Sequence, residues 1–129
     1  KRTQLSSPYF NEWLKISQTT LPIIRKSLKN HDFIKLAEES EKNCQAMHAA
    51  CMAASPPVVY WNSTTVKLIE HVLKWRQSGF EVFYTIDAGP NVALVCLPGS
   101  TESVVEHVKN LSLKYLKTKI GGGPICLNW

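Results

Sequence analysis

The spacing of apolar residues changes at Pro56-Pro57, and that change constrains the fold of this chain more than any other feature. Upstream, apolar residues recur at helical intervals. Downstream, short β-branched runs alternate with helical ones. At 129 residues the chain is one domain long and can bury a core without cross-links. The helices of the first half must therefore cover whatever sheet the second half makes.

Over 8–29, Phe10, Trp13, Leu14, Leu21, Ile24 and Leu28 follow helical spacing. Pro22 has no N–H and its ring clashes with the preceding turn, which predicts two short helices, the second starting near Thr20. Asp32 is suited to cap a further helix. Its inner stripe is Phe33, Leu36, Ala37, Cys44, Met47, Cys51 and Ala54, and Pro56-Pro57 ends it.

Beyond the prolines, Val58-Val59-Tyr60-Trp61 has the composition of a strand. Asn62 or Ser63 then caps a helix to about Ser78, with Val66, Ile69, Val72 and Leu73 inward and Gly79 as its stop. Residues 81–87 and 92–97 predict two strands joined by the turn Ala88-Gly89-Pro90-Asn91. Ser100 or Thr101 opens a helix carrying Val104, Val105, Val108 and Leu111. After Gly121-Gly122-Gly123-Pro124, Ile125-Cys126-Leu127 predicts a last short strand. The order β-α-β-β-α-β is that of a ferredoxin-like unit. The predicted fold is thus α+β: a single domain over 1–129, with helices over about 8–54. A four-stranded antiparallel sheet follows over about 57–129, in the order 4-1-3-2 with two helices on one face.

The formal charge is +5, but the lysines are scattered and no Arg-rich helix or aromatic-basic strand appears. That pattern is a solvated surface and argues against a nucleic-acid partner. No apolar run approaches the ~20 residues of a membrane span, and none follows Lys1 as in a signal peptide. Cys44 and Cys51 lie on one helix face, with roughly 10.5 Å of rise between them, too far for a disulfide. Together with Cys96 and Cys126 they read as reduced thiols of a cytoplasmic protein. His48 lacks the close neighbours a zinc site needs.

Asp87 departs from this pattern because it ends an apolar strand and opens a tight turn. Alternation puts it on the face of Thr85 and Phe83, opposite Val82, Tyr84 and Ile86. Such a carboxylate is either an Asx-turn residue bonding its own backbone or, partly walled by apolar groups, a base at a cleft. His48 and Asn43 read as structural, hydrogen-bonded between the long helix and a neighbouring loop. Gly121-Gly122-Gly123 reads as a turn, since no helix follows to complete a phosphate cradle.

Several segments together resemble one family. Asp87-Ala88-Gly89-Pro90-Asn91, after Tyr84-Thr85-Ile86, is similar to the D-A-G-P-N motif of diphosphomevalonate decarboxylases. Met47-His48-Ala49 ahead of Pro56-Pro57 resembles the family's H-A…P-P segment. Ser6-Ser7-Pro8-Tyr9-Phe10, Trp13-Leu14 and Gly122-Gly123-Pro124 are similar to flanking pieces, in order along the whole chain. The family belongs to the GHMP kinase superfamily. The resemblance implies the C-terminal domain of an enzyme that uses ATP and Mg²⁺ to phosphorylate and decarboxylate mevalonate 5-diphosphate, giving isopentenyl diphosphate. It implies that Asp87 is the catalytic carboxylate and that ATP is held mainly by an N-terminal domain absent from this chain, which alone should be inactive. It also implies a possible homodimer. Two alternatives stay open on the residues: a mevalonate monophosphate decarboxylase or related GHMP small-molecule kinase, and a free-standing ferredoxin-like ligand-binding module.

Overall fold

The computed structural model describes residues 2–123. A short helix, α1 (Arg2–Ser6), leads into two long ones, α2 (Phe10–Lys29) and α3 (Phe33–Met52), which pack as a hairpin. Then come α4 (Ser63–Gln77), strands β1 (Val82–Ile86) and β2 (Val92–Cys96), a 3-10 turn (Pro98–Ser100) and α5 (Thr101–Asn110).

α2 is one continuous helix with Pro22 inside it, not the two helices predicted. Pro22 deprives the Gln18 carbonyl of its usual donor, but Gln18 is exposed and water can replace that bond. The face packed on α3 outweighs the local break. There, Asn43 Nδ2 donates to Ser17 Oγ at 3.1 Å and Thr20 Oγ1 at 2.8 Å, joining helix to helix and not helix to loop. Asp32 caps α3 as expected, accepting from Lys35 N at 2.9 Å.

Val58–Trp61 forms no strand, because its backbone is used elsewhere. The Val58 N–H closes on the Cys51 carbonyl at the end of α3, at 3.0 Å, while Tyr60 and Trp61 pack their rings on His48. Ile125–Leu127 lies outside the described residues. The described sheet is therefore the antiparallel pair β1–β2, with Val82 opposite Cys96 and Ile86 opposite Val92, where the sequence predicts four strands in the order 4-1-3-2. The α+β class stands.

Val82, Tyr84 and Ile86 pack with Leu68, Val72 and Trp75 of α4 and Val104 and Val108 of α5 to form the core. The inward face of α4 is Thr65, Leu68, Val72 and Trp75. Val66 and Leu73, predicted inward, are 44% and 43% exposed. The N-cap sets this rotation. Asn62 and Thr65 form a reciprocal capping box, and the Thr65 hydroxyl also donates to the Pro90 carbonyl at 2.8 Å, so position 65 must face the sheet. Gly79 ends the helix at φ +91°, a left-handed conformation that suits glycine.

Candidate functional site

The backbone of β1 has two edges. Phe83 and Thr85 pair with Val95 and Ala93 of β2, so the polar groups of Tyr84 and Ile86 point the other way. An unpaired edge buried against a helix would be costly. α3 satisfies it with side chains. Glu41 Oε1 accepts from the Tyr84 N–H at 3.2 Å. The Ile86 carbonyl accepts from Cys44 Sγ at 3.5 Å and from His48 Nε2 at 3.1 Å. Positions 41, 44 and 48 share one face of a helix, which thus stands in for a neighbouring strand. Arg76 of α4 donates to Glu41 at 2.5 Å, and Gln45 donates to the Tyr84 hydroxyl.

His48 is 1% exposed. A carbonyl only accepts, so Nε2 carries the proton, and buried Nδ1 has no partner among the described residues. Burial pushes its pKa below the ordinary 6.5, partly opposed by the Ile86 carbonyl and by Asp87. Burial likewise raises the Cys44 thiol, which stays protonated at neutral pH.

Asp87 follows Ile86 directly, where the ladder ends. One of the two sequence readings has Asp87 partly walled by apolar groups, whereas it is exposed in this structure. Its side chain accepts no hydrogen bond from the described residues. The turn is closed instead by backbone, the Gly89 N–H donating to the Asp87 carbonyl at 2.8 Å, so the Asx-turn role is not the one Asp87 plays. The far side of the turn is tied down by Thr65 on Pro90. Asp87 opens into a hollow of about 320 Å³, lined by Thr85, Ala88, Gly89, Asn91, Val92 and Ala93. Thr85 and Asn91 are the polar neighbours that the turn reading left without a role; their signal was adjacency to Asp87 across a two-stranded register.

A larger cleft of about 1130 Å³ lies between α4, β2, α5 and residues 113–118. Its walls are mainly apolar, with no acidic side chain, and it meets the hollow at Asn91, Val92 and Ala93. Gly121–Gly123 lines neither space. Among the described residues no group of three His, Cys, Asp or Glu side chains could hold a metal ion, and no helix is long and apolar enough to cross a membrane.

Fold and hollow together define a class: an α+β domain whose buried strand ends in a single outward-facing carboxylate, its backbone fastened from behind by a helix. The profile of the mevalonate 5-diphosphate decarboxylase C-terminal domain matches residues 1–121, and the chain belongs to that family. The diphosphomevalonate decarboxylase of Candida albicans is 29% identical over 120 residues, covering 78% of this chain and 33% of that protein. That of Saccharomyces cerevisiae is 31% identical over 112 residues, covering 84% and 28%. Among solved structures, mevalonate pyrophosphate decarboxylase from Streptococcus pyogenes superposes with a TM-score of 0.81 at 32% identity, over 85% of this chain and 35% of that one. Mevalonate diphosphate decarboxylase from Enterococcus faecalis gives 0.82 at 29%, over 85% and 34%. The chain spans about a third of the length of the curated relatives it matches.

Proposed function

We propose that this chain is the carboxylate-bearing part of an ATP-dependent decarboxylase that converts mevalonate 5-diphosphate to isopentenyl diphosphate, CO₂, ADP and phosphate. The observation that carries this reading is the Asp87 side chain. It is exposed, free of hydrogen bonds to the described residues, and mounted on backbone fixed on both sides. Among solved structures of the family is one described as a complex with MVAPP, AMPPCP and magnesium. That supports a diphosphate substrate and ATP with Mg²⁺ as its co-substrate. The family resemblance assigns ATP and Mg²⁺ mainly to a part of the enzyme outside this chain.

The chemistry follows from the alcohol. A tertiary hydroxyl is a poor nucleophile, and its oxygen must lose a proton as it attacks the γ-phosphorus of ATP. A carboxylate within hydrogen-bond reach takes that proton, a contribution of typically ~10²–10⁴-fold in rate. The phosphate so placed then leaves with the bonding pair as CO₂ departs, forming the double bond. Alignment and charge neutralisation supply the remainder of the barrier reduction. The reading takes the enzyme as cytoplasmic, in keeping with the free thiols of Cys44, Cys51 and Cys96, and as a possible homodimer.

Asp87→Asn in the full-length enzyme tests this. Asparagine keeps size and turn but cannot take a proton. CO₂ release should fall by about 10²–10⁴-fold while mevalonate 5-diphosphate and ATP still bind. Near-normal release would remove Asp87 from the chemistry. Weakened binding with unchanged turnover would make it a substrate-orienting group. Assaying mevalonate 5-phosphate beside the diphosphate separates the two decarboxylase readings.

A further inference from the structure

Because the Asp87 side chain accepts no hydrogen bond from the described residues, the peptide that carries it alone sets the point from which it projects. That peptide begins at the Ile86 carbonyl, where β1 ends. Ile86 is 2% exposed, and its carbonyl points away from β2, so neither water nor the ladder holds it. What holds it is α3. We propose that His48 is a positioning residue for Asp87: its Nε2–H, seated on the Ile86 carbonyl, fixes the Ile86–Asp87 peptide and with it the Cα–Cβ bond from which the carboxylate projects. This rests on the reading of Asp87 as the proton acceptor.

Three features separate this role from simple packing. The ring cannot swing away, because Tyr60 and Trp61 pack against it with centroids 5.9 and 5.0 Å distant. The strap bearing those two residues is itself fastened by the Val58 N–H on the Cys51 carbonyl. The imidazole also keeps a buried nitrogen, Nδ1, with no partner among the described residues. A phenylalanine would fill the same slot without a buried Nδ1 but would leave the Ile86 carbonyl only the Cys44 thiol, so the feature that distinguishes histidine here is the Nε2–H. Cys44 is a weaker second donor to the same carbonyl, at 3.5 Å through sulfur. The sequence predicts a hydrogen bond from His48 to a neighbouring loop; the bond it makes goes to strand β1 instead. Its acceptor is the residue immediately before Asp87, which gives that bond a consequence in the site. A misplacement of about 1 Å in a reacting group can cost ~10²-fold in rate.

The test uses the full-length enzyme with His48→Phe, His48→Gln and Asp87→Asn. Glutamine carries an amide donor close to the Nε2 position; phenylalanine carries none. His48→Phe should lower kcat by roughly 10–100-fold with KM within about twofold and a cooperative, if lowered, melting transition. His48→Gln should recover most of that loss. The double variant His48→Phe with Asp87→Asn should be no slower than Asp87→Asn alone, since one acts through the other. The proposal is overturned by a His48→Phe kcat near wild type, by a folded His48→Gln as slow as His48→Phe, or by multiplicative losses in the double variant. Should His48→Phe not fold, His48→Asn replaces it, its amide stopping short of the Ile86 carbonyl; full activity there overturns the proposal and slow turnover supports it. Near-normal turnover of Asp87→Asn would instead bring down the reading beneath, so the two failures are distinguishable.

Discussion

Glu41 carries two demands at once, and replacing it should expose both. Its carboxylate accepts the Tyr84 N–H at 3.2 Å and the Arg76 guanidinium at 2.5 Å, from a side chain only 8% exposed. Glu41→Ala orphans a backbone N–H on a residue that is 0% exposed, which costs about 1–3 kcal/mol. Breaking a fully buried ion pair costs roughly 3–5 kcal/mol. The Arg76 side chain is 34% exposed and can turn to water, so its share is closer to about 1 kcal/mol. The sum is about 3 kcal/mol, a large part of the ~5–15 kcal/mol that holds a domain folded. At this chain length that corresponds to a melting temperature lowered by about 10 °C. Glu41→Gln keeps an acceptor for Tyr84 and gives up only the charge, so it should lose about 1 kcal/mol. Urea titration of both variants measures the difference. If Glu41→Ala lies within about 1 kcal/mol of wild type, α3 does not carry the free edge of β1. If Glu41→Gln is as damaged as Glu41→Ala, the charge dominates and the Tyr84 N–H does not depend on this acceptor.

Thr65→Val removes two hydrogen bonds, the return arm of the capping box on the Asn62 N–H and the donation to Pro90. At about 1 kcal/mol each this costs about 2 kcal/mol in urea titration, and Thr65→Ser should restore most of it. The pH dependence follows from His48. Its folded pKa lies below the unfolded value near 6.5, so between the two the unfolded chain binds more protons and stability rises with pH. Stability should therefore decline as pH falls below about 6.5, a decline that continues to the depressed folded pKa. His48→Gln should remove that component; an identical pH profile for the variant would show that His48 stays neutral without cost.

The sequence made legible those elements whose signals are local. β1, β2 and their turn follow from two-residue alternation and the chemistry of Gly89-Pro90-Asn91, and the structure places them within a residue of expectation. Asp32 and Gly79 marked helix ends correctly. The errors have a common origin in tertiary context. Val58–Trp61 has strand composition, yet strand propensity describes fit to a partner surface, and these residues found His48 rather than a ladder. Pro22 breaks an isolated helix but not one whose other face is packed on α3. On α4, apolar identity favoured Val66 and Leu73, whereas the Thr65 hydroxyl needed Pro90 and rotated the inward face toward Thr65, Leu68 and Trp75, with Val72 kept inside. Most was lost on α3, where reading only apolar residues concealed Glu41 and sent His48 to a loop instead of to the Ile86 carbonyl of β1. Their spacing of seven, with Cys44 between, was the available signal: polar groups on the inward stripe of a helix have to meet something polar.

The same hydrogen-bond inventory explains why Asp87 is chemically available. Around it, Gly89 N–H is taken by the Asp87 carbonyl, Pro90 C=O by Thr65, and Ile86 C=O by His48 and Cys44. Each local demand for a donor or acceptor is met by another group, so the carboxylate is not needed to close the turn and the backbone stays in place without it. An exposed carboxylate in water is nonetheless a weak actor, because high dielectric dilutes its interaction with a developing charge. The proposed reaction therefore requires a second surface to close over the hollow and exclude water. A chain spanning about a third of its relatives leaves room for that surface elsewhere in the enzyme. On this reading the division of labour is physical: this domain supplies a base carried on a fixed backbone, and the covering part of the enzyme supplies the phosphates, the counter-charge and the dry environment in which the base acts.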